Sequence, residues 1–482
     1  MRMRMRMRQR GFAVCAVCIV AVPATGIAAG QVGNDEKFVV VRAGRVITVS
    51  GEEYAPGMIV IADGKVRLVG QNLEYPDGAT VIDARGQTVM PGMIHVRTRF
   101  GLPSYNRPGV RGDLKALDEV VLSQIEFEEL LEAGFTAVCY TPFGDGIAGV
   151  AGVLRTGGAE SARRVKDAAY LRVDMTDPAS DKGTLRNALK KAQEEIDKVE
   201  KARQEWEKKQ KEKAEAEKKQ QEEQQKKEGE EPKPGDKPAP SPPKPEEKPQ
   251  PPKPSPPKPG DPGAAPPVEA PKEGEKKEPE QFVPPAMDPA HLPLIDLIQK
   301  KYDVPLFIEL DQASDYLHAE DVLKPHKEFP RVYWLGARLP NRASDYDYVV
   351  KALGEKKALV VVPPAIYYLP LTVEQYNLAA ELTKAGCKVA CAPWWDAPLE
   401  FDRVRSRLAD LVRGGLARAD ALKSVTAHAA EAAGVADRLG TIEKDRDADL
   451  VFLSGDPLDP RSEVTQVMIG GEIVYERKDG RR

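Results

Sequence analysis

In the stretch Thr88-Val-Met-Pro-Gly-Met-Ile-His-Val-Arg-Thr-Arg99, three basic residues, His95, Arg97 and Arg99, alternate with Ile94, Val96 and Thr98. Pro91-Gly92 ends one apolar run, and Met93 to Phe100 has the period of a strand, which predicts all three basic side chains on one face. A guanidinium stays protonated, donates N–H groups and has no lone pair to give. Such a face can grip a carboxylate or phosphate by paired hydrogen bonds, but neither arginine can ligate a metal. Other chemistry-bearing residues are sparse. The chain has five histidines, and His291, His318, His326 and His428 are scattered over helix-like segments and their exits. No Gly-x-Ser-x-Gly elbow accompanies His428. Gly144-Asp-Gly-Ile-Ala-Gly149 lacks the Lys-Ser/Thr of a phosphate-binding P-loop and reads as a connecting loop. Cys139, inside apolar Phe135-Thr-Ala-Val-Cys-Tyr140, reads as inert core.

A strand of this kind does chemistry only if other elements bring partners to its end. If it opens a parallel barrel, its C-terminal end looks into the mouth, where such folds keep their active sites. The following chain supports that plan. Helical periodicity runs from Leu117 to Ala133 and stops at Gly134. Phe135–Tyr140, Leu306–Leu310, Arg331–Leu335, Ala358–Val362 and Lys388–Cys391 read as buried strands, and Phe401–Val412 and Ala419–Ala433 as closing helices. Alternation of this sort predicts β/α units and an α/β fold, a TIM-like (β/α) barrel. Short strands crowd both ends of the chain. Phe38–Val49 reads as strand, turn, strand, Met58–Val69 as a hairpin about Asp63-Gly64, and Val81–Val89 as a further strand. Ala448–Leu453 and Val467–Tyr475, the latter about Gly470-Gly471, repeat the style. Each set is too small to close a core alone, so joining them into one composite β-sandwich is the economical arrangement.

Both ends resemble the amidohydrolase superfamily. Pro91-Gly92-Met93-Ile94 is similar to that family's opening strand, Pro-Gly-x-Ile-Asp-x-His-x-His. Leu439-Gly-Thr-Ile-Glu-Lys-Asp-Arg-Asp-Ala-Asp-Leu-Val451 is similar to its C-terminal Gly-x-Ile-x-x-Gly-x-x-Ala-Asp-Leu-Val, with Asp445 in place of a glycine. Imidazolonepropionase-like metal-dependent hydrolases are nearest in motif. The resemblance implies hydrolysis of non-peptide carbon-nitrogen bonds by water activated on zinc or another divalent metal. It also marks departures. Arg97 and Arg99 stand at the two histidine positions, His95 at the aspartate position, and Glu309 where a family strand carries histidine. Asp396 lies two residues from the family's late-strand aspartate.

Two readings of these residues stand side by side. In one, Arg97 and Arg99 replace the charge of the metal, pair in part with Glu309 or Asp396, and bind a small anionic ligand. In the other, the same charges neutralise one another as a buried network. Both expect no metal cofactor and a pseudoenzyme, alone, as a homo-oligomer or beside an active relative; an active hydrolase with a rearranged single-metal site built on Glu309, Asp396 and a stray histidine is the alternative.

The remaining segments bound the setting. Met1–Arg10 is arginine-rich, Gly11–Val22 is apolar, and Ala24–Ala29 offers small residues for cleavage, so residues 1–29 read as a secretory leader. That predicts export to the periplasm or cell envelope, with membrane contact only if the leader is retained. Formal charge is −4 with the leader included, which argues against nucleic acid. After removal of the leader, Cys139, Cys387 and Cys391 are too few for a disulfide framework. The plan is then 36–90 for the first sandwich part, 91–206 and 283–438 for the barrel, and 439–482 for the second sandwich part. Residues 207–282 interrupt it. Leu185, Leu189, Ala192, Ile196, Val199 and Trp206 form a short coiled-coil-like stripe; beyond it Lys, Glu and Gln predict a solvated, fraying helix. Residues 231–280 then hold 19 of the 42 prolines and are expected to be disordered, a possible envelope-interaction segment.

Overall fold

The structure, a computed structural model, describes residues 37–103, 107–228, 281–301, 304–336, 345–369 and 371–478. Residues 1–29, read above as a leader, and the proline-rich part of the insertion lie outside them.

Strands from the two ends of the chain do join. One eight-stranded sheet runs Glu472–Glu476, Val464–Ile469, Leu450–Leu453, Thr80–Pro91, Phe38–Ile47, Gly57–Ala62, Lys65–Gly70, with Glu53–Tyr54 added beside Phe38–Ile47. The seam between the ends is antiparallel, with Pro91 opposite Leu450 and Val89 opposite Phe452. Val41, Ile59, Ile61, Val89, Leu450, Phe452 and Met468 bury one apolar cluster there. Both hairpin turns hold two residues at positive φ, 51° and 73° at Asp63 and Gly64, 59° and 82° at Gly470 and Gly471, which favours Asn, Asp and Gly. The expected turn inside Phe38–Val49 is absent. Phe38–Ile47 is one strand whose register with Thr80–Pro91 shifts between Ala43 and Arg45. Gly44 marks a bulge because a Cβ there would lie 2.4 Å from Arg85 O. At Asp445 the chain keeps a left-handed φ of 67°, the conformation that explains a glycine in the family motif.

The central strands form two further sheets in a mixed α/β arrangement. Arg164–Lys166, Gly152–Arg155, Phe135–Tyr140 and Met93–Thr98 make four strands; Lys388–Cys391, Leu359–Val362, Arg331–Leu335, Leu306–Leu310, Leu171–Asp174, Gly146–Val150 and Gly109–Val110 make seven. Leu171–Asp174 through Lys388–Cys391 are mutually parallel, as are Met93–Thr98 and Phe135–Tyr140. Their near-continuous apolar runs suit strands covered on both faces. Among the described residues the backbone ladders form open sheets and not one closed ring. A buried ion-pair cluster fastens the terminal sheet to the four-stranded one: Arg155 Nε donates to Asp449 Oδ2 (2.9 Å) and Nη2 to Asp447 Oδ2 (2.8 Å), while Asp449 Oδ1 accepts from Gly470 N (2.8 Å). The Ala-Asp-Leu motif thus holds sheets together.

Three local expectations give way to tertiary contacts. Within Leu117–Ala133 only Glu128–Ala133 is α-helical, preceded by 3-10 turns at Ala116–Asp118 and Leu122–Gln124. Leu117, Ile125, Phe127, Leu130 and Leu131 are all buried, so the spacing reported burial, while Arg164 Nη2 takes the Leu117 carbonyl (3.1 Å). The glycine-rich segment read as a loop contains the strand Gly146–Val150, antiparallel to Leu171–Asp174; a Cβ at Gly149 would lie 2.6 Å from Leu114 O. Ala419–Ala433 is two helices, Arg418–Val425 and Ala427–Ala432, parted at Thr426, whose Oγ1 donates to Leu422 O (2.7 Å).

The insertion begins on a single helix, Pro178–Glu228, of 51 residues. Its boundary at 206/207 therefore falls inside a helix, and residues 207–228 continue it as the solvated helix that their Lys, Glu and Gln content predicts. Leu185, Ala188, Leu189 and Ala192 are buried, against the helices Leu292–Ile298 and Ala313–Val322. Farther on, ion pairs one turn apart, Arg203–Glu207 (3.2 Å) and Lys208–Glu212 (4.0 Å), support an exposed run. The chain returns beside Trp206, whose ring centroid lies 5.8 Å from that of Phe282. No helix of the described residues is long and apolar enough to cross a membrane.

Candidate functional site

Chemistry-bearing side chains gather where the parallel strands end at their carboxyl termini, the end at which such folds place active sites. The strand Met93–Thr98 supplies the first group, but not as its alternation predicts. Its register with Phe135–Tyr140 shifts between His95 and Thr98, and a bulge changes which way later side chains face. His95 is fully buried beside Phe135 and Phe401, at ring distances of 5.7 and 5.8 Å. Arg97 lies over Trp334, 5.1 Å from the ring centroid. Arg99 lies over Phe143 (4.9 Å) and donates to the carbonyls of Thr141 (2.7 Å) and Pro103 (2.6 Å). The three basic side chains therefore have different nearest partners, although Arg97 and Arg99 both feel the charge of Asp396.

Arg97 and Glu309 do meet. Arg97 Nε donates to Glu309 Oε1 at 2.6 Å, and Oε2 of the same carboxylate accepts from Arg172 Nη2 at 2.7 Å. Arg172 reaches from Leu171–Asp174 and also donates to Asp174 Oδ2 (3.2 Å) and the carbonyls of Gly144 (2.8 Å) and Pro142 (3.2 Å). Burial pushes the Glu309 carboxyl up, but the two guanidinium groups outweigh it and hold the group far below the usual carboxylate range. Reciprocally, burial opposes charge on Arg97 and Arg172, and Glu309 more than restores it, so both stay firmly protonated.

Asp396 sits apart from this chain of ion pairs. Its Oδ1 accepts from Thr98 Oγ1 (2.6 Å) and its Oδ2 from Arg99 N (2.7 Å), which ties the end of Met93–Thr98 to the segment after Lys388–Cys391. His95 Nε2 stands 3.3 Å from Oδ1, and His95 Nδ1 accepts from Arg97 N (3.4 Å). Burial raises the Asp396 carboxyl, but His95 and the two donors win, and the group is lowered. Arg99 makes no ion pair within 4.0 Å among the described residues, and its buried Nε has no hydrogen-bond partner. Burial lowers its pKa. Cys139 is buried, and burial pushes its thiol up to about 12.

These residues do not fit the metal that the family uses. Arginines stand at the two positions where the resemblance expects histidine ligands, and each oxygen of Glu309 and Asp396 already accepts a hydrogen bond. Of His95, Nδ1 accepts from the Arg97 amide and Nε2, buried without a hydrogen-bond partner 3.3 Å from Asp396 Oδ1, is left as a single imidazole nitrogen, too few for a metal site. His428 is remote from these groups, its Nδ1 3.0 Å from Val389 O.

Comparison with known proteins ties the fold and one part of the chain to a family. Residues 399–474 match the family model described as Amidohydrolase family. A solved amidohydrolase from Thermotoga maritima superposes with a TM-score of 0.66 over 91% of this chain and 100% of its own, at 22% identity. The chain's fold is that of an amidohydrolase, and its C-terminal part carries the sequence pattern of the Amidohydrolase family. A dihydroorotase from Anaeromyxobacter dehalogenans is 34% identical over 104 residues, 21% of each chain, so the chain matches only about a fifth of that relative's length. At the strand ends, the charged groups that sequence reasoning missed are Arg172 and Asp174. Their signal was present: an arginine and an aspartate at alternate positions of the otherwise apolar Tyr170-Leu-Arg-Val-Asp-Met175.

Proposed function

We propose that this chain is an amidohydrolase-superfamily protein that does not perform metal-dependent hydrolysis at its strand ends, where a salt-bridge network serves as a structural plug. The observation that carries the reading is Glu309 held between Arg97 and Arg172. A carboxylate that neutralises two guanidinium groups in a buried setting is not available to a metal or to a reacting proton. The three arginines at this end, Arg97, Arg99 and Arg172, face three carboxylates, Asp174, Glu309 and Asp396, which removes the expected surplus of positive charge. In this reading the parallel strands form a TIM-like barrel, pinned by Asp396 to Thr98 and Arg99, and the terminal sheet folds into the composite β-sandwich. The protein is exported to the cell envelope and pairs with itself or with an active relative.

The test is an assay of zinc-supplemented protein against cyclic amides, N-acyl amino acids and imidazolones. Rates at background are expected. Zinc-stimulated turnover that disappears in Glu309→Gln or Asp396→Asn would overturn the proposal.

Arg99 favours a second reading, in which an anion completes its hydrogen bonding. Its Nε and the nearby Tyr140 and Thr141 hydroxyls are buried without hydrogen-bond partners. Thermal stability in citrate, phosphate and chloride at equal ionic strength separates the two. Stabilisation by a multivalent anion that vanishes in Arg99→Met supports the anion site; equal responses in wild type and variant exclude it.

A further inference from the structure

Away from the strand ends, three ligand-type side chains converge where the chain returns from the insertion. Glu195 projects from the long helix Pro178–Glu228, Asp288 caps the short 3-10 turn Pro289–His291, and His291 ends it. One ligand atom from each lies within 4.8 Å of the others. His291 is only 5% exposed, yet neither ring nitrogen has a hydrogen-bond partner. Its Nδ1 faces Asp288 Oδ2 at 3.3 Å and Glu195 Oε1 at 3.5 Å. A buried imidazole with both nitrogens idle is costly unless something fills the gap.

The other oxygens explain the orientation. Glu195 Oε2 accepts from Asp288 N (3.0 Å), and Asp288 Oδ1 accepts from Ala290 N (3.0 Å). Each carboxylate is thus steered by one oxygen and presents the other to His291, as outer hydrogen bonds steer metal ligands. With bonds of about 2.0–2.1 Å to nitrogen and oxygen, a tetrahedral zinc site sets its ligand atoms about 3.3–3.4 Å apart, close to the two distances from Nδ1. No arginine or lysine forms an ion pair with either carboxylate among the described residues.

We infer that Glu195, Asp288 and His291 form a divalent-cation site of the zinc type that clasps the returning chain to the long helix. Imidazole with two carboxylates suits zinc among the common ions, and a fourth position is left to water. The Asp288 side chain is half exposed, which gives the ion a route in. The site forms a second rung beside Trp206 and Phe282 and is independent of the strand-end reading.

The full chain, stripped by dialysis against chelator, is titrated with zinc chloride by calorimetry and followed by thermal melting. One equivalent is expected, with a raised melting temperature. Asp288→Asn and Glu195→Gln, both at positions reached by solvent, should each keep the native circular dichroism and lose more than the roughly 10–100-fold in affinity that loss of an outer-shell partner costs. Glu309→Gln should bind zinc as wild type does. Absence of binding in wild type overturns the inference, as does binding unchanged in both Asp288→Asn and Glu195→Gln.

Discussion

Two carboxylate clusters in this molecule have opposite fates. At the strand ends, Glu309 is enclosed by Arg97 and Arg172, and Asp396 by the Thr98 hydroxyl and the Arg99 amide. Beside the long helix, Glu195 and Asp288 turn an oxygen each toward a histidine that has no other partner. The difference lies in the donor opposite. A guanidinium satisfies a carboxylate permanently, because it cannot lose its proton, whereas an imidazole can release one and offer a lone pair. The first cluster is a closed structural unit; the second is open to an ion.

The largest effect expected on this contrast comes from breaking the closed cluster. Glu309→Gln leaves two buried guanidinium groups without their charge partner and should cost roughly 3–5 kcal/mol, read as a lower urea midpoint. Replacing Arg97, Arg172 and Glu309 together by apolar residues of similar size should recover most of that loss, since a buried ion pair adds little over good apolar packing. A minor shift in Glu309→Gln would show that the network does not hold the fold.

Acid should act on the same cluster. The folded-state pKa of Glu309 is depressed, so its stabilisation is fully present above its unfolded value of about 4.3 and is lost as pH falls below that toward the folded value. Wild type should therefore lose stability faster than Glu309→Gln between about pH 4.5 and lower pH, followed by melting temperature. Parallel curves would remove Glu309 from the acid response.

Zinc should separate the clusters. At a free concentration near 100 times its dissociation constant, a bound ion adds about 2.7 kcal/mol to stability. Wild type and Arg97→Met should both show this gain in melting experiments, and Asp288→Asn should not. A gain lost in Arg97→Met instead would place the ion at the strand ends.

The smallest effect concerns the insertion. Replacing residues 208–280 by a short Gly/Ser linker keeps both Trp206 and Phe282, which already bring the two ends together. The melting temperature should stay within error of wild type; a clear drop would show that the removed chain packs on the rest.

Legibility differed between elements for identifiable reasons. The buried parallel strands, the Asp63-Gly64 and Gly470-Gly471 hairpins and the union of the two chain ends could be read because period, turn chemistry and motif are local. The helix expected from Leu117 was misread because apolar spacing reports burial, and irregular backbone can bury the same side chains. Gly44 and Gly146–Gly149 were misplaced for a related reason: glycine permits close backbone approach as readily as it permits a turn.

By itself the amino-acid sequence pointed to the family, to most of the parallel strands and to the turns of the terminal sheet, and it placed Arg97 and Arg99 where the resemblance expects histidine, because each depends on residue identity or short-range spacing. Only the tertiary structure decided which charges meet. Glu309 lies 212 residues from Arg97 and 137 from Arg172, and Glu195 lies 93 from Asp288. A one-residue slip between His95 and Thr98 sends three basic side chains to separate partners. Electrostatic pairing depends on distances of a few ångströms between groups remote in the chain, and no local pattern specifies those distances.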